Sequence, residues 1–144
     1  MIRHLFKMVW NRRRTNALII LEILFSFLVL FGVTTLGVYY LNLYQQMEQV
    51  FVNICKNAIE AIRANGSITI RMYKESTRGL VVVEDTGCGI PTVMRGNLFS
   101  PFFTTKENGQ GIGLTLVQEI LSQHHFDFSL EGQPSGPTRF TVYF

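Results

Sequence analysis

Cysteine is scarce in this sequence: Cys55 and Cys88 are the only two, and their spacing fits neither a disulfide framework nor a zinc ligand set. A reducing compartment is the simpler expectation. Charge is sparse too, at 16% of residues against about 25% in ordinary soluble domains. With mean hydropathy at +0.21, disorder is excluded and some part of the chain must be strongly apolar. No internal repeat or low-complexity tract is present, and 144 residues allow one modest core. Positive charge is missing where a nucleic-acid partner would need it. Arg3, Lys7, Arg12, Arg13 and Arg14 stand in the first 41 residues, opposed by Glu22 alone; beyond them 8 basic and 9 acidic residues leave net −1. The pI near 9.1 therefore comes from the N-terminus, and no electrostatic footprint for a phosphate backbone remains. Nucleic acid is not expected as a partner.

What is present begins with an apolar run over residues 17–41, ALIILEILFSFLVLFGVTTLGVYYL, long enough to span a bilayer. A cleaved signal peptide would have a shorter apolar core, and no small-residue cleavage pattern precedes Tyr39 and Tyr40. Glu22 reads as an interfacial acid. Five basic residues precede the run and none falls between Asn42 and Cys55, which places the N-terminus in the cytoplasm and the helix in the inner membrane. The expected organisation is a basic cytoplasmic N-terminus (1–16), a transmembrane helix (17–41) and a separate domain (46–144).

In that domain, Met47, Val50, Phe51, Ile54, Ala58, Ile59 and Ile62 have the spacing of an amphipathic helix, with Asn53, Asn57 and Glu60 along the adjoining edge. Asn65 and Gly66 provide a stop, because both tolerate the left-handed conformation. SITIRMY (67–73) alternates as a half-buried strand and GLVVVED (79–85) reads as a more buried one, with a turn at 75–78 between them. Six of the twelve glycines lie between Asp85 and Gly113, in backbone that must turn tightly around something. Helical spacing returns over 112–124, and FDFSLE and TRFTVYF close the chain as strands. This order argues for an α+β sandwich, with helices on one face of a mixed, mostly antiparallel sheet.

Four segments carry the chemistry: NICKNAIEAI, DTGCGI, LFSPFFTTK and GQGIGL. Singly each is weak, since an Asn-lined helix is more often a solvated face and a GxG pair occurs in many loops. Their order and spacing resemble the ATP-binding domain of sensor histidine kinases, the Bergerat-type fold of the family that includes gyrase, Hsp90 and MutL. The resemblance covers residues 46–144 and matches the N box, first glycine box, phenylalanine box and second glycine box in turn.

That resemblance implies ATP and Mg²⁺ as ligands and assigns roles to individual residues. Asp85, a carboxylate at a strand end, would accept the exocyclic amine of adenine. Gly87 and Gly89 would let the backbone bend beneath the base. Asn57 would give Mg²⁺ a side-chain oxygen, the donor type magnesium prefers. Gly109, Gly111 and Gly113 would lead into a helix N-terminus whose free amides meet phosphate. Lys106 reads either as a phosphate neutraliser or as a mobile surface lysine. Phe99, Phe102 and Phe103 look like the anchor of a lid, with Phe102 counted at the nucleotide and a core role for at least one of the three. Thr138, in GPTRF, would reach the adenine through water. Asn53, also a nucleotide-site residue, stands where ATPase members carry a water-activating Glu. An amide is no general base, so slow hydrolysis and transfer to a protein acceptor are expected.

The chain also departs from the family. His4, His124 and His125 are followed by Leu5, His125 and Phe126, not by the acidic residue that accompanies a family phosphoacceptor, and 42–46 leaves no room for two dimerisation helices. The expectation is an N-terminally truncated domain whose dimerisation and phosphoacceptor region is supplied elsewhere and which reaches a response regulator only indirectly. With one span and a cytoplasmic N-terminus the ATP domain would lie outside, so it is expected to function only if cytoplasmic. MIRHLFKMVWNRRRTN and the span after it resemble the start of a macrolide-export-type ABC transporter permease, and the chain reads as a junction of two pieces. Two alternatives stand beside the kinase: an anti-sigma-type serine kinase of the same fold, and a non-catalytic membrane-anchored nucleotide-binding or permease-derived module.

Overall fold

The computed structural model describes residues 2–62, 65–75, 77–106, 109–134 and 136–144. Along the chain run α1 (Ile2–Ala61), β1 (Ile68–Glu75), β2 (Arg78–Asp85), a 3-10 helix (Thr92–Asn97), α2 (Gly113–Gln123), β3 (Asp127–Gly132) and β4 (Thr138–Tyr143). The chain divides into two compact units, one ending at Tyr44 and one spanning Gln45–Phe144. Ser76, in the expected turn at 75–78, lies outside the described residues.

The first unit is helical. Its large apolar side chains from Leu18 to Leu41 are exposed, and within Thr15–Ala61 an 18-residue stretch reaches a mean hydropathy of 2.5, long and apolar enough to cross a membrane. The hydroxyls of Thr34 and Thr35 donate back to the carbonyls of Leu30 and Phe31 at 2.8–3.0 Å, so their polar groups are satisfied within the helix. Residues 42–46, between the apolar run and the amphipathic stripe, belong to α1. NLYQQ contains neither glycine nor proline, so nothing in it ends a helix.

In the second unit the strands form one sheet in the order β1-β2-β4-β3, with every pairing antiparallel. Alternation sends Val83, Phe140 and Val142 to one face, where they meet Val50 and Ile54 of α1 and Val117, Ile120 and Leu121 of α2 in a single buried cluster. The apolar stripe of each helix therefore covers the same side of the sheet. On the other face Glu84 sits between Arg71 and Arg139, with its Oε2 3.9 Å and 2.8 Å from their guanidinium nitrogens. Such exposed pairs hold little energy, but they set which face stays in water. Cover on the helical side stops short of the edge: Ile70 and Met72 of β1 point that way and remain 57% and 80% exposed.

The ends of the helices follow from local chemistry. Asn65 takes a φ of 53° beyond α1, in agreement with its place in the stop signal. At the end of α2, His125 adopts a φ of 58° and the N–H of Phe126 reaches back to the carbonyl of Leu121 at 2.9 Å. This left-handed cap brings the chain directly into β3.

Candidate functional site

The sheet register sets one half of the site. Asp85 ends β2 and pairs directly with Thr138, the first residue of β4. Asp85 is only 6% exposed, and its Oδ1 accepts the N–H of Gly87 at 2.8 Å. Burial raises its carboxyl above the ordinary aspartate range; the Gly87 hydrogen bond pulls it back, and neighbouring Glu84 pushes it further up. A desolvated carboxylate with acceptor capacity beyond one backbone donor is suited to an amine brought in by a ligand.

The loop after Asp85 is tied down on both sides. Cys88 N–H donates to the Ala61 carbonyl at the end of α1 (3.1 Å), Thr86 N–H donates to the Ser67 carbonyl (3.1 Å), and Ser67 N–H donates to Thr86 Oγ1 (2.9 Å). Gly87 is required by space, because a Cβ there would fall 2.7 Å from both Ala61 Cβ and Asp85 Oδ1. Gly89 is required by conformation: its φ is +72°, and it bridges to Pro134 in the β3–β4 connection.

The other half gathers around the polar edge of α1. Asn53 Nδ2 donates to the Gln49 carbonyl at 2.9 Å, and its Oδ1 lies 3.2 Å from where a Cβ on Gly113 would be, so the N box abuts the first residue of α2. Ile112 at the N-cap offers no side-chain hydrogen bond, which leaves first-turn amides of α2 for a ligand anion. Asn57 Oδ1 accepts from Lys106 Nζ at 2.9 Å, and the same ammonium is ion-paired with Glu60. That pairing holds the Glu60 carboxyl below its ordinary range. Ala61, which receives the first glycine loop, follows Asn57 by one helical turn, so α1 joins the two halves.

The aromatic residues separate. Phe99 packs against the core with its ring 5.4 Å from that of Phe128, and its carbonyl accepts Thr115 Oγ1 at 3.2 Å. Phe103 is half-buried, whereas Phe102 is 79% exposed with a φ of 65°. Gly111, at φ +67°, lies against the main chain of Phe102, where a Cβ would come 2.7 Å from its Cα. Gly109 N–H donates to the Lys106 carbonyl at 3.1 Å. Phe99 is thus the core member of the three, and Phe102 stands at the surface where the two loops cross.

The donor set fits magnesium. Asn57 Oδ1 and the Glu60 carboxylate are hard oxygens, three residues apart on one helix, that already converge on a single cation, the Lys106 ammonium. Among the described residues no three His, Cys, Asp or Glu side chains cluster into a metal cage. Remaining ligands would come from phosphate and water, as magnesium prefers. Spacing puts Glu60 on this edge, and its i+3 relation to Asn57 is the sequence signal for its part in the site.

Comparison with known proteins assigns the class. The histidine kinase-, DNA gyrase B-, and HSP90-like ATPase family matches residues 42–144, and the chain belongs to that family. It is 39% identical over 97 residues to the signal transduction histidine-protein kinase AtoS of Escherichia coli, covering 67% of this chain and 16% of that protein. It is 36% identical over 97 residues to sporulation kinase C of Bacillus subtilis, covering 67% and 23%. The chain therefore spans less than a quarter of either relative. The catalytic domain of histidine kinase ThkA superposes with a TM-score of 0.61 at 34% identity, over 69% of this chain and 66% of that one. The mycobacterial sensor histidine kinase MprB shares the fold, with a TM-score of 0.62 at 24% identity over 69% and 70%. Residues 42–144 are accordingly an ATP-binding domain of the histidine kinase type.

Proposed function

We propose that this domain binds ATP with magnesium and passes the γ-phosphoryl group to a histidine on a dimerisation and phosphoacceptor domain, from which a response regulator would be served. The observation that carries this is the joining, through α1, of buried Asp85 and its strand partner Thr138 to the Asn53–Asn57 edge, where Asn53 lies against Gly113. Asp85 accepts the adenine amine, with Thr138 beside it, while Gly87 and Gly89 keep the backbone low enough for the base. Asn53 and Asn57 face the phosphates, and the amides after Gly109, Gly111 and Gly113 neutralise them. Phe102 and Lys106 lie on the segment that closes over the nucleotide. Bound magnesium supplies charge neutralisation across the phosphate oxygens, with Asn57 as its protein ligand.

An amide at position 53 takes no proton from water, which favours transfer to a protein acceptor over hydrolysis. His124 and His125 are poor acceptors. His124 Nε2 is engaged with Gln46 Oε1 and His125 serves as a left-handed cap. The histidine kinases among the relatives favour a histidine acceptor over a serine. We assign residues 1–16 to a basic cytoplasmic N-terminus, 17–41 to an inner-membrane anchor and 46–144 to the nucleotide domain, which functions only where it has access to cytoplasmic ATP.

Asn57→Ala tests the site. It is expected to weaken Mg·ATP about five- to tenfold, the range for losing one oxygen ligand to a cation, and to leave magnesium-free ADP within about twofold. Titration calorimetry on the full chain in detergent measures both. Equal losses for the two ligands would make Asn57 structural.

A further inference from the structure

We infer that Lys106 and the magnesium ion compete for the same two oxygens, Asn57 Oδ1 and the Glu60 carboxylate, so that Lys106 is a built-in counter-cation which the metal nucleotide must displace. The inference rests on the assignment of Asn57 as a metal ligand. Its geometry is that of an occupied cation site: one ammonium donates to the amide oxygen at 2.9 Å and is ion-paired with the carboxylate one turn along the same helix.

The main chain of Lys106 is itself held. Lys106 N–H donates to Thr104 Oγ1 at 3.1 Å, its carbonyl accepts Gly109 N–H at 3.1 Å, and a Cβ on Gly109 would crowd Lys106 Cβ at 3.1 Å. Glycine at 109 thus leaves room beside Lys106, whose ammonium is directed at α1. A divalent ion on Asn57 Oδ1 would share that oxygen with a like charge, and the repulsion makes the two occupants exclusive. A lysine leaves cheaply, because its four-carbon stem is flexible and its head is readily hydrated. Once released, the ammonium remains within the field of the incoming phosphates. Metal arrival would therefore release Lys106 from α1, coupling the two events through one pair of oxygens.

The charge next door allows the mechanism to be isolated. Lys56 lies close enough to Glu60 to act on it electrostatically, yet it has no bond to Asn57 among those described. Removing either lysine deletes one positive charge near the site; only Lys106→Ala vacates the oxygens.

The test measures the dissociation constant of a non-hydrolysable ATP analogue by calorimetry, with and without Mn²⁺, on the full chain in detergent. Its readout is the dissociation constant without Mn²⁺ divided by that with Mn²⁺. Lys106→Ala is expected to raise that ratio about three- to fivefold, as suits the loss of a partly exposed ion pair, and Lys56→Ala to leave it within about 1.5-fold. An unchanged ratio in Lys106→Ala, including one in which both constants weaken together, would assign the lysine to phosphate alone and overturn the proposal. An equal rise in both variants would reduce the effect to diffuse charge and overturn it as well. A wild-type chain that binds the analogue equally with and without Mn²⁺ would remove the metal assignment itself, and this inference with it.

Discussion

Asp85→Asn is expected to weaken ATP binding about ten- to a hundredfold while leaving the fold at least as stable. The affinity loss follows from exchanging a charged acceptor for a neutral one, since hydrogen bonds to charged groups contribute about 1.5–3 kcal/mol and each 1.4 kcal/mol is about tenfold. The stability result follows from the direction of the Asp85 shift. Burial raises its carboxyl above the ordinary value of 3.8, so the folded state holds the proton to higher pH than the unfolded chain does. Stability due to this group falls as pH rises from 3.8 through the folded value, so the buried carboxylate is a liability once ionised. Asparagine has no charge to desolvate, and its Oδ1 can still accept the Gly87 N–H. Thermal unfolding and calorimetry together separate a binding residue from a structural one. Unchanged affinity would remove Asp85 from the adenine site.

Gly89→Ala is expected to destabilise the domain by about 3 kcal/mol and to abolish nucleotide binding where the fold is lost. A left-handed conformation costs an L-residue about 1–2 kcal/mol, and Gly89 has a φ of +72°. The new methyl would also collide with the Gln133 carbonyl and come 2.7 Å from the Gly136 carbonyl, and such overpacking costs about 1–3 kcal/mol. Against a total stability of about 5–15 kcal/mol that is a large fraction. Gly96→Ala is the control, because a Cβ there meets nothing within 4 Å, and a change within about 0.5 kcal/mol is expected. Denaturant midpoints of the two variants give the comparison; equal midpoints would mean that the Gly89–Pro134 bridge carries no weight.

Local patterns made much of this fold legible. The stripe from Met47 to Ala58 identified the core face of α1, although Ile59, counted on the same stripe, is 62% exposed because it lies a further ~100° around the helix from buried Ala58. A buried apolar run identified β2, alternation β4, and the Asn65 stop appeared as a left-handed residue. These are properties of neighbouring residues, which periodicity and turn chemistry record. The extent of α1 is less legible, because composition changes between the apolar run and the amphipathic stripe while helical structure does not. NLYQQ is polar but has no helix breaker. The Lys106–Glu60 pair escaped for another reason: 46 residues separate its members, and a lysine in a loop looks solvated until the chain is folded. The conformation of Phe102 escaped likewise, since its φ of 65° is imposed by packing against Gly111 and is disfavoured by its own side chain. Within the site, residue types were readable but convergence was not. Asp85 beside Thr138 depends on the β2–β4 register, a pairing between segments far apart in sequence.

The central claim is that the domain recognises adenine through a buried carboxylate, and exchanging the base tests it most directly. Adenine presents an amine at the position where guanine presents a carbonyl oxygen, so guanine would set oxygen against the Asp85 carboxylate. A site built to bond one polar group rejects the analogue that lacks it. Parallel calorimetric titrations of the full chain with non-hydrolysable analogues of Mg·ATP and Mg·GTP should give one adenine nucleotide per chain and at least about tenfold weaker guanine binding. Equal affinities for the two bases, or no binding of the ATP analogue by a chain that unfolds cooperatively, would contradict the account.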